Sequence, residues 1–128
     1  MSKEYKQIPY SPSYSIHLYN ILRPSTWKHF VSGCWQRLRY GISWPDCWNL
    51  DIYLATVIVN GLIKLRYDGH SYSSKCETPE EWYQILDKII AGYSLYIESA
   101  QRVLTDQEWE QYEVAKQLFS ENFSDLWD

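Results

Sequence analysis

The stretch SWPDCWNLDIYLATVIVNGLIKLRYDGHSYSSKCETPEEWYQILDKIIAGYSLY, residues 43–96, decides the fold. It reads as two long amphipathic helices joined by a short turn, Tyr67-Asp68-Gly69-His70-Ser71-Tyr72. The first of the two runs from Trp44 to Arg66. Ser43 and Asp46 are spaced as a capping box, and Pro45 falls in the first turn, where its missing N–H costs nothing. Leu50, Leu54, Val57, Ile58, Gly61, Leu62 and Leu65 recur at helical spacing and predict the core stripe. Ile52, Tyr53 and Val59 widen it, so this helix is expected to be central. Gly61 would permit close helix approach, and Gly69 supplies the stop.

The second opens on Thr78-Pro79-Glu80-Glu81, the strongest local signal in the chain. Thr78 caps, Pro79 takes the first turn, Glu81 reaches back, and both acids favour the positive helix end. Trp82, Ile85, Leu86, Ile89, Ile90, Tyr93, Tyr96 and Ile97 follow at helical spacing. Working outward, Trp27, Phe30, Val31, Cys34, Trp35 and Leu38 form one stripe on a helix over Ser25–Arg39, which Gly41 ends. Downstream, Thr105-Asp106-Gln107-Glu108 is another capping box, opening a helix with Trp109, Tyr112, Ala115, Leu118 and Phe119 inward. Pro9 and Pro12 oppose a helix near the start. The expected architecture is all-α: a small bundle of about four helices over 23–128, with an extended arm over 1–22.

Composition bounds the function. At 128 residues the chain makes one domain with a thin core. Aromatics are 17%, with twelve Tyr and seven Trp, which suits cores and binding surfaces alike. Residues 1–73 carry eight Lys/Arg against four Asp/Glu, and residues 74–128 carry four against twelve. Such polarity suits self-association and argues against general duplex DNA binding, which needs a basic excess. Cys34, Cys47 and Cys76 form no metal-ligand spacing and are expected to be reduced thiols, with Cys34 a small core residue. The first residues lack an apolar stretch, so no secretion signal is expected. The run Tyr53–Ile63 is too short to span a bilayer.

No catalytic constellation stands out. Glu110 and Glu113 match one helical carboxylate pair of the kind that holds Mg²⁺ in all-helical nucleotide pyrophosphatases, but no second pair accompanies them. Glu80, Glu81, Asp87, Asp46 and Asp51 read as capping and solvated acids. His17, His29 and His70 are isolated. No enzyme activity, metal or cofactor is expected.

The candidate ligand-binding residues are Arg37, Arg39, Trp44, Arg66, Tyr67, His70 and Tyr72. Aromatic faces stack nucleobases while Arg and Lys hold phosphates. The competing reading is that Arg37, Arg39, Lys64 and Arg66 sit in last helical turns, where cations favour the dipole. If the first two helices pack antiparallel, the two clusters need not meet within one subunit, though they could across an oligomer interface.

From Trp27 to Trp127 the chain resembles a family of small phage-encoded helical proteins of unassigned function. The resemblance rests on Arg37-Leu38-Arg39-Tyr40-Gly41, Trp48-Asn49-Leu50-Asp51-Ile52-Tyr53-Leu54-Ala55, Gly69-His70-Ser71-Tyr72, Glu80-Glu81-Trp82, Ile89-Ile90-Ala91-Gly92-Tyr93 and Leu126-Trp127. It implies a phage origin and a host-cytoplasm setting, and carries no catalytic residues. Together these readings lead us to expect a homo-oligomeric binding protein that antagonises bacterial immunity by sequestering a defence signalling nucleotide. The alternatives are a protein-binding inhibitor of a defence effector such as a CRISPR nuclease, with the acidic half mimicking nucleic acid, or a virion or replication accessory protein.

Overall fold

A computed structural model describes residues 24–128, with 24–26 described by backbone alone. The arm expected over 1–22 lies outside the described residues. The chain is all-α, as expected, with no strand among the described residues. Helix α1 covers Pro24–Tyr40. A 3₁₀ segment, Trp44–Asn49, leads into α2, Leu50–Asp68. Helix α3 covers Pro79–Glu98 and α4 covers Asp106–Asn122, followed by a 3₁₀ turn at Phe123–Asp125. The second helix therefore begins six residues late as an α-helix. Pro45 has no N–H to give, and Asp46 N–H closes the tight bond to Ser43 O at 3.1 Å, which selects the narrower winding.

The chain groups into two compact units, Leu54–Asp128 and a second one ending at Tyr53. In the first, Trp82, Leu86, Ile89, Ile90 and Tyr93 of α3 share a buried cluster with Ala55, Val59, Leu62 and Ile63 of α2 and with Ala115 of α4. This is the α3 stripe the spacing predicts. Both caps form. Glu81 N–H donates to Thr78 Oγ1, and Glu81 Oε2 accepts from Glu77 N–H, one residue earlier than a capping box requires. Thr105 and Glu108 form the full reciprocal box.

Helices α3 and α4 press together where Gly92 meets Ala115: a Cβ at Gly92 would lie 2.2 Å from the Ala115 methyl. Glycine is needed here, and not at Gly61, where a Cβ would meet nothing within 4 Å. Much of the aromatic content is spent on this seam. Tyr93 meets Tyr112 and Phe119 edge-on at 5.6 and 5.5 Å, and Tyr96 stacks on Tyr112 at 4.7 Å.

The buried face of α2 differs from expectation. Ala55, Thr56, Val59, Leu62 and Ile63 turn inward, while Leu50, Leu54 and Val57 stay exposed. The two faces lie nearly half a turn apart at roughly 100° per residue. Because α2 is apolar around most of its circumference, periodicity alone selects no side.

In the second unit, Gly41 adopts φ 75° and its N–H donates to Arg37 O at 2.9 Å, ending α1 as the sequence predicts. Tyr53 Oη donates to Gly41 O at 2.7 Å. The predicted stripe of α1 forms but remains open, with Phe30, Val31, Trp35 and Leu38 half-exposed or more. Cys34 is consequently exposed instead of being a core residue.

Candidate functional site: two basic-aromatic clusters

The seven candidate residues divide between the units. Arg37, Arg39 and Trp44 belong to the unit that ends at Tyr53, and Arg66, Tyr67, His70 and Tyr72 to Leu54–Asp128.

In the first cluster Arg37 faces inward to Asp46. Its Nε donates to Oδ2 at 3.2 Å and its Nη2 to Oδ1, a two-pronged pair. Asp46 Oδ2 also accepts from Ser43 N–H at 2.8 Å and from Ser43 Oγ at 2.7 Å. With the Asp46 side chain only 1% exposed, this buried carboxylate organises the link between α1 and the 3₁₀ segment. Arg37 is the cation that permits its burial. Arg39 behaves differently. Its guanidinium lies 5.5 Å from the Trp35 ring centre and 5.8 Å from that of Tyr40, and these rings meet edge-on. Trp44 is held through its backbone, its N–H donating to Gln36 Oε1 at 3.0 Å, while its indole is exposed. Trp48, outside the candidate set, is equally exposed.

In the second cluster Arg66 is structural. Its guanidinium lies 4.0 Å from the Tyr83 ring centre and 5.2 Å from that of Tyr67, and its Nε donates to Asp87 Oδ1 at 3.3 Å. Lys64 pairs with Asp68 one turn on. The 70–75 turn is fastened by the acidic end of the chain. Asp128 Oδ1 accepts from His70 N–H at 2.5 Å and Ser71 N–H at 2.9 Å, and these amides hold its carboxyl below the usual range. Asp125 accepts from Lys75 Nζ and Ser73 Oγ, each at 2.9 Å, and the ammonium lowers its carboxyl as well. Residues 125–128 thus clamp a loop. The His70 side chain is 91% exposed, with Nδ1 3.6 Å from Asp128 Oδ2. Tyr67 and Tyr72 are also exposed.

The structure therefore leaves Arg39, Trp44, Tyr67, His70 and Tyr72 facing solvent and commits Arg37 and Arg66 to internal carboxylates. Capping-box spacing signals Asp46 in advance. Nothing local signals Asp87, Asp125 or Asp128 as partners.

Elsewhere in Leu54–Asp128 an open apolar groove of about 520 Å³ is lined by Val57, Ile58, Leu65, Phe119, Leu126 and Trp127, with Lys64, Asp68 and Asp128 also on its walls. Among the described residues, no group of three or more His, Cys, Asp or Glu gathers as a metal site. Nor is any helix among them long and apolar enough to cross a membrane. Comparisons with protein-family models, curated proteins and solved structures give no match for this chain.

Proposed function

We propose that this is a non-catalytic, phage-encoded binding protein that acts in the host cytoplasm against bacterial immunity by docking on a defence protein. One observation carries the docking: Tyr40, Trp44 and Trp48 are 65%, 68% and 67% exposed within nine residues of chain, beside Arg39. Trp, Tyr and Arg are the residues that dominate protein interfaces when they anchor in a partner's pockets. Phosphate recognition is less well served, because Arg37 and Arg66 already hold Asp46 and Asp87. The phage setting rests on the resemblance of residues 27–127 to small phage-encoded proteins.

Sequestration of a signalling nucleotide is the second reading. Arg39 favours it: its guanidinium lies over two rings, and no carboxylate pairs with it among the described residues. A phosphate on Arg39 with a base on Trp44 would use that arrangement.

The test is to express the tagged full chain, and a Trp44→Ser/Trp48→Ser variant, in bacteria carrying a defence system, then infect them. Docking predicts restored plaques and a stoichiometric complex with a component of that system, both lost in a variant that unfolds at the same midpoint. A nucleotide released on denaturation, with no protein partner, would replace docking by sequestration. Plaques restored equally by the variant would rule out this surface.

A further inference from the structure

Helix α1 carries Lys28, Arg37 and Arg39 and no acid in its seventeen residues. Its open stripe ranges from 49% exposed at Phe30 to 88% at Leu38, with Val31 and Trp35 between them, and Cys34 is exposed as well. Residues 54–128 have the opposite character, with six Lys/Arg against thirteen Asp/Glu, a net charge of −7. That acidic unit carries the apolar groove, where Val57 and Trp127 are themselves more than half exposed. Gly61 leaves one wall of it open.

We infer that α1 of one copy seats its stripe in this groove of a second copy, and reciprocally, closing a two-fold dimer. Lys28 and Arg39 of α1, with Arg37 already paired to Asp46, meet a unit of net charge −7, and each apolar face covers the other. Phe30, Val31, Cys34, Trp35 and Leu38 at these exposures offer on the order of 500 Å². Two reciprocal contacts remove about 1,000 Å² of stripe, and with the groove's smaller share the total reaches roughly 1,200 Å², the lower end of a specific interface. Reciprocal exchange leaves no stripe uncovered, whereas one-way exchange would propagate as a filament. A basic helix faced with Trp, Phe and Leu also suits an anionic bilayer surface. The −7 charge of the remaining unit opposes that partner and favours the second copy. The dimer stands whether or not Tyr40, Trp44 and Trp48 meet a defence protein.

The experiment uses the full chain. Sedimentation equilibrium should give twice the 15.3 kDa chain mass, with dissociation increasing as salt is raised. Leu38→Glu should weaken the dimer roughly tenfold or more at unchanged helicity, because it places a charge in an apolar contact. In a Cys47→Ser/Cys76→Ala background, Gly61→Cys should form a disulfide with Cys34 of the second copy under mild oxidation. The product is a covalent dimer that the same background with Gly61 intact does not form. A monomer at tens of micromolar, a disulfide closed within one chain, or a dimer indifferent to both changes would overturn the inference. So would a monomer that sediments with phosphatidylserine vesicles, which would assign the stripe to lipid.

Discussion

Gly61 and Gly92 both lie inside helices, yet alanine at the two positions should move stability in opposite directions. Alanine gains about 1 kcal/mol over glycine in a helix interior, partly by restricting the unfolded chain. At Gly61 a methyl meets nothing within 4 Å, so Gly61→Ala should stabilise by about 0.5–1 kcal/mol. At Gly92 the new carbon would lie 2.2 Å from Ala115 Cβ, 2.9 Å from Gln111 O and 3.3 Å from Tyr112 Cα. Carbon atoms pack at about 3.5–4.0 Å, so α3 and α4 would have to part by roughly 1.5 Å at their closest point. Two of the obstructing atoms are backbone, so no rotamer change relieves them. Overpacking costs about 1–3 kcal/mol. Opening the seam also weakens the Tyr93 contacts to Tyr112 and Phe119, at about 0.5–1.5 kcal/mol each. Against the helix gain, Gly92→Ala should lose about 1–3 kcal/mol net, or roughly 5–20 °C in a unit of this size. Urea and thermal unfolding followed by far-UV circular dichroism measure both variants. Adding Ala115→Gly to Gly92→Ala removes the nearest clash and should recover part of the loss. A Gly92→Ala chain that unfolds at or above the wild-type midpoint would refute the close approach of α3 and α4.

Arg66→Ala should destabilise by about 1–2 kcal/mol through the lost Tyr83 contact and the stranded Asp87; an unchanged urea midpoint would return Arg66 to the pool of ligand-facing cations. Hydrogen bonds from Arg102, and then from Thr105 N–H, hold the Glu108 carboxyl at about 2, against an ordinary 4.5. A depressed carboxylate contributes stability that is full above 4.5 and disappears as pH falls through 2, so urea midpoints should drop across that window. Asp125 and Asp128 shift in the same direction and add to the slope, and Arg102→Met should make it shallower. Asp128→Ala should speed amide exchange at His70 and Ser71 with little change in global stability, since Asp128 is on the surface; unchanged exchange there would refute the clamp.

Helices were legible where the chain carries local punctuation. Thr78-Pro79 and Thr105 with Glu108 place the starts of α3 and α4, and Gly41 places the end of α1, because caps and stops act over three or four residues. The α3 stripe was legible because Gln84, Asp87 and Lys88 interrupt it and leave one apolar side. Helix α2 lacks such contrast. Ile52, Leu54, Val57, Ile58 and Val59 surround the axis, so the face that packs is decided by its neighbours. For the same reason the sequence suggests a close helix approach at Gly61, where none forms, and does not single out Gly92, where one does. Spacing shows that Gly61 and Gly92 lie in helices, but only packing shows which has a neighbour against it.

The candidate site was legible in composition and not in consequence. A cation's availability depends on whether an anion reaches it, and here the anions come from far along the chain: Asp87 is 21 residues from Arg66, and Asp128 is 58 from His70. Arg37 has Trp35, Arg39 and Tyr40 within three residues and Arg66 has Lys64 and Tyr67, which makes both look poised for phosphate. In the folded chain each holds a carboxylate, and a phosphate would have to displace it and strand an acid; for Asp46, with its side chain 1% exposed, that acid would be buried. Trp44 and Trp48 carry no such commitment. Their indoles remain exposed on a 3₁₀ segment whose backbone is fixed by Ser43, Asp46 and Gln36. Exposed indoles with Arg39 alone left without a carboxylate in their cluster, among the described residues, suit a protein pocket better than a free polyphosphate, which favours docking on a protein over nucleotide sequestration.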